Sequence, residues 1–226
     1  MEIGIIGSGN IGSTLAGHLT ALGHTVKIAN SRGPESLVEV AKKSGATPAT
    51  VEEAAEAKDI IIVAVPPTAM EKLPVAILSA SRAIIIDTGN YYPSRDGENV
   101  NLKDGLTDSE WAAKVFGHPV IKAFNNILSS SLASKSTPVE SPDRVALSVA
   151  GNEEGHKQIV KALINEIGFD AIDGGLLSES WRQQPGTPAY CKDLDKEALA
   201  AALQEADVSK RAQYLEMADE SIRPFL

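Results

Sequence analysis

Ile3-Gly4-Ile5-Ile6-Gly7-Ser8-Gly9-Asn10-Ile11-Gly12 decides how the rest of the chain is read. Ile3 to Ile6 form a short aliphatic run halted by glycine, and an apolar helical rhythm follows at Ile11, Leu15, Leu19 and Leu22. The pattern is strand, turn, helix. Gly23 sits where a C-cap glycine belongs, and Thr25 to Ala29 is a second β-branched run, so a βαβ unit is complete by residue 30. In this context G-x-G-x-x-G has a mechanism. Gly7 permits a sharp turn, Gly9 lets the backbone approach a pyrophosphate, and Gly12 lets the helix pack closely on the sheet. With Ser8, Asn10 and Ile11 between them, these glycines place unpaired N–H groups and the positive end of a helix dipole where an anion would sit.

The alternation continues outward. Thr50 with Glu53 makes a capping box, Ile60 to Val65 is a continuous strand ended by Pro66-Pro67, and Ala83 to Ile86 is another. A helix is expected around Ser109 to Val115, then a strand from Val120 to Phe124. Residues 128 to 143, rich in serine and proline and without a sustained period, read as a connection. Beyond it come a strand from Arg144 to Ala150, a helix capped by Asn152 with core residues Ile159, Leu163 and Ile167, and a strand from Phe169 to Ile172. Two helices close the chain, near Asp195 to Glu205 and Val208 to Ser221. The expectation is an α/β fold: a Rossmann, doubly wound, mostly parallel sheet in residues 1–140, and a small C-terminal α/β lobe in residues 141–226 that covers the nicotinamide and substrate site.

Composition excludes several function classes. The 226 residues carry 21 Lys and Arg against 30 Asp and Glu, a net charge of −9, with no basic stripe to displace counterions from a duplex. Nucleic acid is therefore not an expected partner. Aliphatic runs such as Ile60 to Val65 fall far short of the roughly 18 residues of a membrane span. The first basic residue is Lys27, after an early Glu2, so no secretory leader is expected. The single cysteine, Cys191, has neither a disulfide partner nor a CxxC motif, which removes structural zinc and suits a reducing cytoplasm. No metal site is expected.

Strand two indicates which dinucleotide. NAD-selective sites place a carboxylate at its end to hold the adenosine ribose, whereas this strand ends Ala29-Asn30-Ser31-Arg32-Gly33. A hydroxyl and a guanidinium at such a turn suit a dianionic 2′-phosphate, so NADP(H) is favoured over NAD(H).

Aromatic residues are absent from the first 90 positions and begin at Tyr91 and Tyr92, beyond a strand ending at Asn90. Several follow strand ends, where α/β sheets bind ligands, and a flat ring could be held there. A Tyr-x-x-x-Lys pair is missing, because four residues after Tyr91, Tyr92 and Tyr190 stand Arg95, Asp96 and Leu194. His18, His24, His118 and His156 read as structural or solvated, and Lys122 and Asp87, ionisable groups near strand ends, are explained equally well by a buried partner or a loop cap. With no catalytic side chain expected, positioning alone would supply the catalysis, as hydride exchange between two stacked rings requires.

The chain resembles the NADP oxidoreductases dependent on coenzyme F420, a deazaflavin, and their flavin-reductase-like relatives. The resemblance rests on Gly7-Ser8-Gly9-Asn10-Ile11-Gly12, Asn30-Ser31-Arg32, Val63-Ala64-Val65-Pro66-Pro67 and Val120-Ile121-Lys122-Ala123-Phe124-Asn125. It implies a commonly homodimeric NADPH-dependent enzyme whose small-molecule redox acceptor is F420, FMN, FAD or another compound. It also implies that Ser31 and Arg32 hold the 2′-phosphate, that Val65-Pro66 lies along the nicotinamide, and that Ala123, Phe124 and Asn125 form the floor where two rings meet. Members often add a basic residue where this chain has Pro34-Glu35-Ser36. Glu179 to Tyr190 is expected to close over the nicotinamide, with Arg182 and Gln184 for polar groups and Trp181 or Tyr190 for a ring. Asn90, Phe124, Asn125, Trp181, Arg182 and Tyr190 are thus the substrate-side candidates. An NADPH sensor without turnover and a dehydrogenase for a small carbonyl or imine are the competing readings.

Overall fold

The structure, a computed structural model, describes residues 1–103 and 105–226. Six strands, β1 (Glu2–Ile6), β2 (Thr25–Ala29), β3 (Thr47–Pro48), β4 (Ile60–Val63), β5 (Ile84–Asp87) and β6 (Val120–Lys122), form one parallel sheet in the order β3-β2-β1-β4-β5-β6. The continuous aliphatic runs are explained by a sheet covered on both faces. Ile60 and Ile62 join one core with Ile3, Ile5 and Leu15, while Ile61 and Val63 join another with Ile6, Trp111 and Phe116.

Strand β3 was not legible in the sequence. It is a two-residue edge strand ending in proline, too short for a period and open on the side where proline lacks a donor. Two expected strands are also shorter than read, β4 ending at Val63 and β6 at Lys122. The residues thereby released, Ala64 with Val65 and Ala123 with Phe124, leave the sheet at its carboxyl edge. The capping boxes form at Thr50–Glu53, as expected, and at Thr107–Glu110 at the head of helix Asp108–Phe116.

The connection 128–143 is partly helical, which corrects its reading as irregular. Ser129–Ser134 forms a six-residue helix without a side-chain cap. Serine is a poor helix former, so tertiary contact holds it: Leu132 is buried, and its carbonyl oxygen lies 2.9 Å from His18 Nε2.

Strands β7 (Ala146–Val149) and β8 (Asp170–Asp173) are parallel and joined by helix Glu154–Glu166. Two details of this unit differ from expectation. Asn152 is not the cap: its Oδ1 instead accepts from the Leu177 N–H at 3.0 Å, and Glu153 occupies the cap position. Ile159 is 45% exposed, and the buried stripe runs through Val160, Leu163 and Ile164 to Ile167 just beyond the helix. A one-residue shift in phase moves the apolar face by about 100°. The unit attaches to the main sheet by an antiparallel bridge, in which Lys122 and Ala150 exchange both backbone bonds at 2.8 and 3.0 Å. Leu147, Val160 and Phe169 share one core with Ile3 and Ile121.

Two helices, Lys196–Glu205 and Arg211–Ile222, end the chain, the first capped by Asp195 and the second preceded by the turn Val208–Lys210. Among the described residues no helix is long and apolar enough to cross a membrane, and no cluster of His, Cys, Asp and Glu could hold a metal ion.

Candidate active site

The glycine turn is a tight crossing of backbones. Gly7 has φ +117, a region open to few side chains, and a Cβ there would lie 2.1 Å from the Ala64 carbonyl oxygen. At Gly12 a Cβ would lie 1.9 Å from the Gly7 carbonyl oxygen, so the first helix turn rests directly on the strand end. Gly9 contrasts with both. Nothing stands within 4 Å of where its Cβ would be, and it caps helix Asn10–Ala21, which has no acidic residue in its first turn. An open face beside unpaired N–H donors fits a dinucleotide pyrophosphate.

Asn30 ties this turn to the next. Its amide donates to Ser8 Oγ at 3.1 Å and to Ser36 Oγ at 3.0 Å, while its Oδ1 accepts from the Arg32 N–H at 2.9 Å. Ser31 and Arg32 are exposed, and the Arg32 guanidinium makes no ion pair among the described residues. A free cation on a fixed backbone suits a phosphate.

At the same carboxyl edge of the sheet, Val65 and Pro66 follow β4, while Ala123, Phe124 and Asn125 follow β6. Phe124 is buried with φ +62, a left-handed backbone that is rare for a bulky residue and re-aims the chain at the sheet edge. Asn125 then meets Asn90, the residue beyond β5. Its amide nitrogen donates to Asn90 Oδ1 at 3.0 Å and to the Gln183 carbonyl at 2.7 Å, and its Oδ1 accepts from Gln183 Nε2 at 2.8 Å. Asn90 donates to Tyr190 Oη at 3.3 Å, and Tyr190 shares a hydrogen bond with the Tyr92 hydroxyl at 2.7 Å. Burial pushes both phenols up from their ordinary pKa, so both stay protonated. Burial also pushes the Cys191 thiol up to about 11.

Asn90, Asn125 and Tyr190 are thus brought together, whereas Trp181 and Arg182 are employed elsewhere. The Arg182 guanidinium donates to Glu179 at 2.7 Å and to the carbonyls of Leu203 and Ala206 at 3.2 Å, holding the end of helix Lys196–Glu205. It also covers the Trp181 ring at 4.6 Å, and Trp181 is buried away from the Asn90–Asn125 cluster's bonds. Cation–π contact and helix-end carbonyls satisfy a guanidinium well. Sequence reasoning passed over Gln183 and Tyr92. No local sequence pattern marks Gln183: the alternating burial of Trp181, Gln183, Pro185, Thr187 and Ala189 exists only in the folded chain.

Beneath the cluster lie buried ionisable groups. Lys122 and Asp87 are buried partners 3.3 Å apart, and Asp87 is a loop cap as well, accepting from the Gly89 N–H at 2.8 Å. Asp108 accepts from the Tyr91 N–H at 3.1 Å, and burial pushes its carboxyl up despite the opposing pull of Lys122 and a bond from Gln184.

Strand order and the glycine turn define a Rossmann fold of the NAD(P)-dependent oxidoreductase family. Residues 2–91 match the family described as NADP oxidoreductase, coenzyme F420-dependent, and the chain belongs to that family. The hypothetical protein SMa0349 of Sinorhizobium meliloti is 31% identical, with a TM-score of 0.72 over 87% of this chain and 96% of its own. A candidate F420-dependent NADP reductase of Arthrobacter sp. FB24 is 22% identical, with a TM-score of 0.65 over 80% of this chain and 87% of its own, and shows likeness of fold. The Escherichia coli K12 protein YjhV is 42% identical over 65 residues, which are 29% of this chain and 47% of YjhV. That match spans about half of this curated relative's length.

Proposed function

We propose that this protein passes a hydride between NADP(H) and a flavin or deazaflavin acceptor, F420, FMN or FAD, held against the floor of Ala123, Phe124 and Asn125. The observation that carries the reading is the chemistry at the ring end: amides of Asn90, Asn125 and Gln183, and two phenols kept protonated by burial. None of these groups titrates near neutrality, so this chain's part is to orient and to exclude water. When bound, NADPH supplies the hydride, which with one proton from solvent accounts for the two-electron reduction of a flavin. Ser31 and Arg32 hold the 2′-phosphate, the helix start at Gly9 to Gly12 holds the pyrophosphate, and Val65-Pro66 borders the nicotinamide.

The Tyr92–Tyr190 pair favours a second reading, in which a phenol donates its proton to a small carbonyl or imine. Purified protein is mixed with NADPH, and absorbance is followed while F420, FMN, FAD and a carbonyl and imine panel are offered in turn. Oxidation with a tricyclic acceptor supports the first reading. Oxidation only with the small compounds selects the second, and tight NADPH binding without oxidation by any acceptor rejects both in favour of a sensor.

A further inference from the structure

A cavity of about 600 Å³ lies between helix Arg211–Ile222 and the body of the protein, walled by Tyr91, Asp108, Trp181, Gln184, Arg211 and Tyr214. Neither the glycine turn nor the Ser31-Arg32 turn contributes to it, so it is separate from the groove assigned to the dinucleotide. We propose that this cavity binds an uncharged, planar aromatic compound bearing a carbonyl group.

Shape and charge lead to that class. The volume is typical of a small-molecule pocket and exceeds what a three-ring compound fills. Its walls are flat and largely apolar, with Trp181, Tyr91, Tyr214 and two prolines, Pro93 and Pro185. The charged residues of its wall other than Asp108 balance, Arg211 and Arg223 against Glu216 and Asp219. Arg211 donates to the carbonyls of Gly105 at 3.3 Å and Leu106 at 3.5 Å and lies 5.8 Å from the Trp181 ring centre. Asp219 pairs with Arg223 at 3.1 Å and accepts from Ser94 at 2.7 Å. With no excess of one sign on the wall, a neutral ligand is the better fit.

Asp108 supplies the directional contact. Burial favours its neutral carboxylic acid, and an acid offers an O–H donor where a carboxylate offers none. A ligand carbonyl would take that bond. The site is also coupled to the hydride groove by the chain itself, since Tyr91 follows Asn90 and Gln184 follows Gln183. The proposal does not depend on which acceptor the protein reduces.

Flavone, an uncharged three-ring ketone, is a suitable probe, titrated into the protein saturated with NADP⁺. The chain has two tryptophans, Trp111 and Trp181, and only Trp181 lines the cavity. Flavone should quench emission saturably at micromolar concentration, with the quenching lost in Trp181→Phe and kept in Trp111→Phe. Ala212→Trp fills the cavity from an exposed helix position and should weaken flavone binding at least about tenfold by calorimetry while leaving NADPH affinity unchanged. Asp108→Asn, which keeps a neutral donor, should bind flavone within about threefold of the parent, and Asp108→Leu about tenfold more weakly. Absence of saturable binding overturns the proposal, as does competition between flavone and NADPH. Undiminished binding to folded Ala212→Trp also overturns it, and this variant decides the matter even where Asp108→Leu fails to fold.

Discussion

Lys122 and Asp87, both fully buried, stand opposite each other in register on neighbouring parallel strands, with Nζ and Oδ2 3.3 Å apart. Lys122 also donates to the Gly89 carbonyl, and Asp87 accepts from Ser109 Oγ at 2.6 Å and the Gly89 N–H at 2.8 Å. The pair therefore shapes the turn that delivers Asn90. Removing one partner strands a buried charge, so Lys122→Met should cost about 3–5 kcal/mol in urea denaturation. Lys122→Met combined with Asp87→Leu should recover part of that loss. A single variant within about 1 kcal/mol of the parent would show that the pair is not the strut described here.

Arg32→Ala tests the 2′-phosphate assignment. A charge-assisted bond contributes about 1.5–3 kcal/mol, so NADPH affinity should fall about ten- to hundredfold while NADH affinity stays nearly unchanged. Calorimetry with both cofactors reads this directly, and equal losses for the two would refute the role.

Gly9→Ala and Gly12→Ala should separate fold from binding. At Gly12 the added carbon meets the Gly7 carbonyl oxygen at 1.9 Å, so the variant should lose about 1–3 kcal/mol or more of stability without any ligand present. At Gly9 the space is open, so thermal melting of the cofactor-free protein should hardly change while NADPH affinity falls as the methyl occupies the pyrophosphate position. Unchanged affinity in Gly9→Ala would move the pyrophosphate elsewhere.

Tyr190→Phe discriminates between the two chemistries. Ring-to-ring hydride transfer should tolerate the loss, with kcat for the flavin acceptor changing less than about threefold, whereas reduction of a carbonyl or imine through this phenol should slow by about 10²–10⁴. Steady-state kinetics with the best acceptor provides the measurement.

Asp108 predicts a pH dependence of stability. Its folded pKa is raised, so the native state holds this proton more tightly than the unfolded chain. The contribution is complete below the unfolded carboxyl pKa of about 3.9 and is lost as pH rises through the folded value. Asp108→Asn should therefore melt near the parent at acid pH and increasingly above it toward neutrality. A gap between the two that narrows with rising pH would contradict the buried-acid account.

Much of the scaffold could be read from local pattern. Ile3 to Ile6, the glycine turn and Leu15, Leu19 and Leu22 specify strand, turn and helix because each signal lies within a few residues. Elements held by distant contacts were not legible. The helix Ser129–Ser134 exists through Leu132 packing, the edge strand Thr47–Pro48 through pairing with β2, and the phase of Glu154–Glu166 through the sheet beneath it.

The candidate site divides in the same way. Asn90 could be named because it follows a strand, and strand ends converge at one edge of a parallel sheet, whereas Asn125 was named through the family resemblance. Trp181 and Arg182 looked equally suitable, yet their partners, Arg211 and the carbonyls of Leu203 and Ala206, come from later segments whose placement no local spacing reveals.

The linear order of residues determined the alternation of strands and helices, the glycine turn and the presence of a guanidinium rather than a carboxylate at the end of the second strand, because backbone geometry and charge at those positions depend on near neighbours. Only tertiary structure decided that Gln183 joins Asn125, that Lys122 answers Asp87, and that a cavity opens beneath the last helix. Those arrangements bring together groups from distant parts of the chain, and burial sets their protonation and partners only once the segments between them have packed.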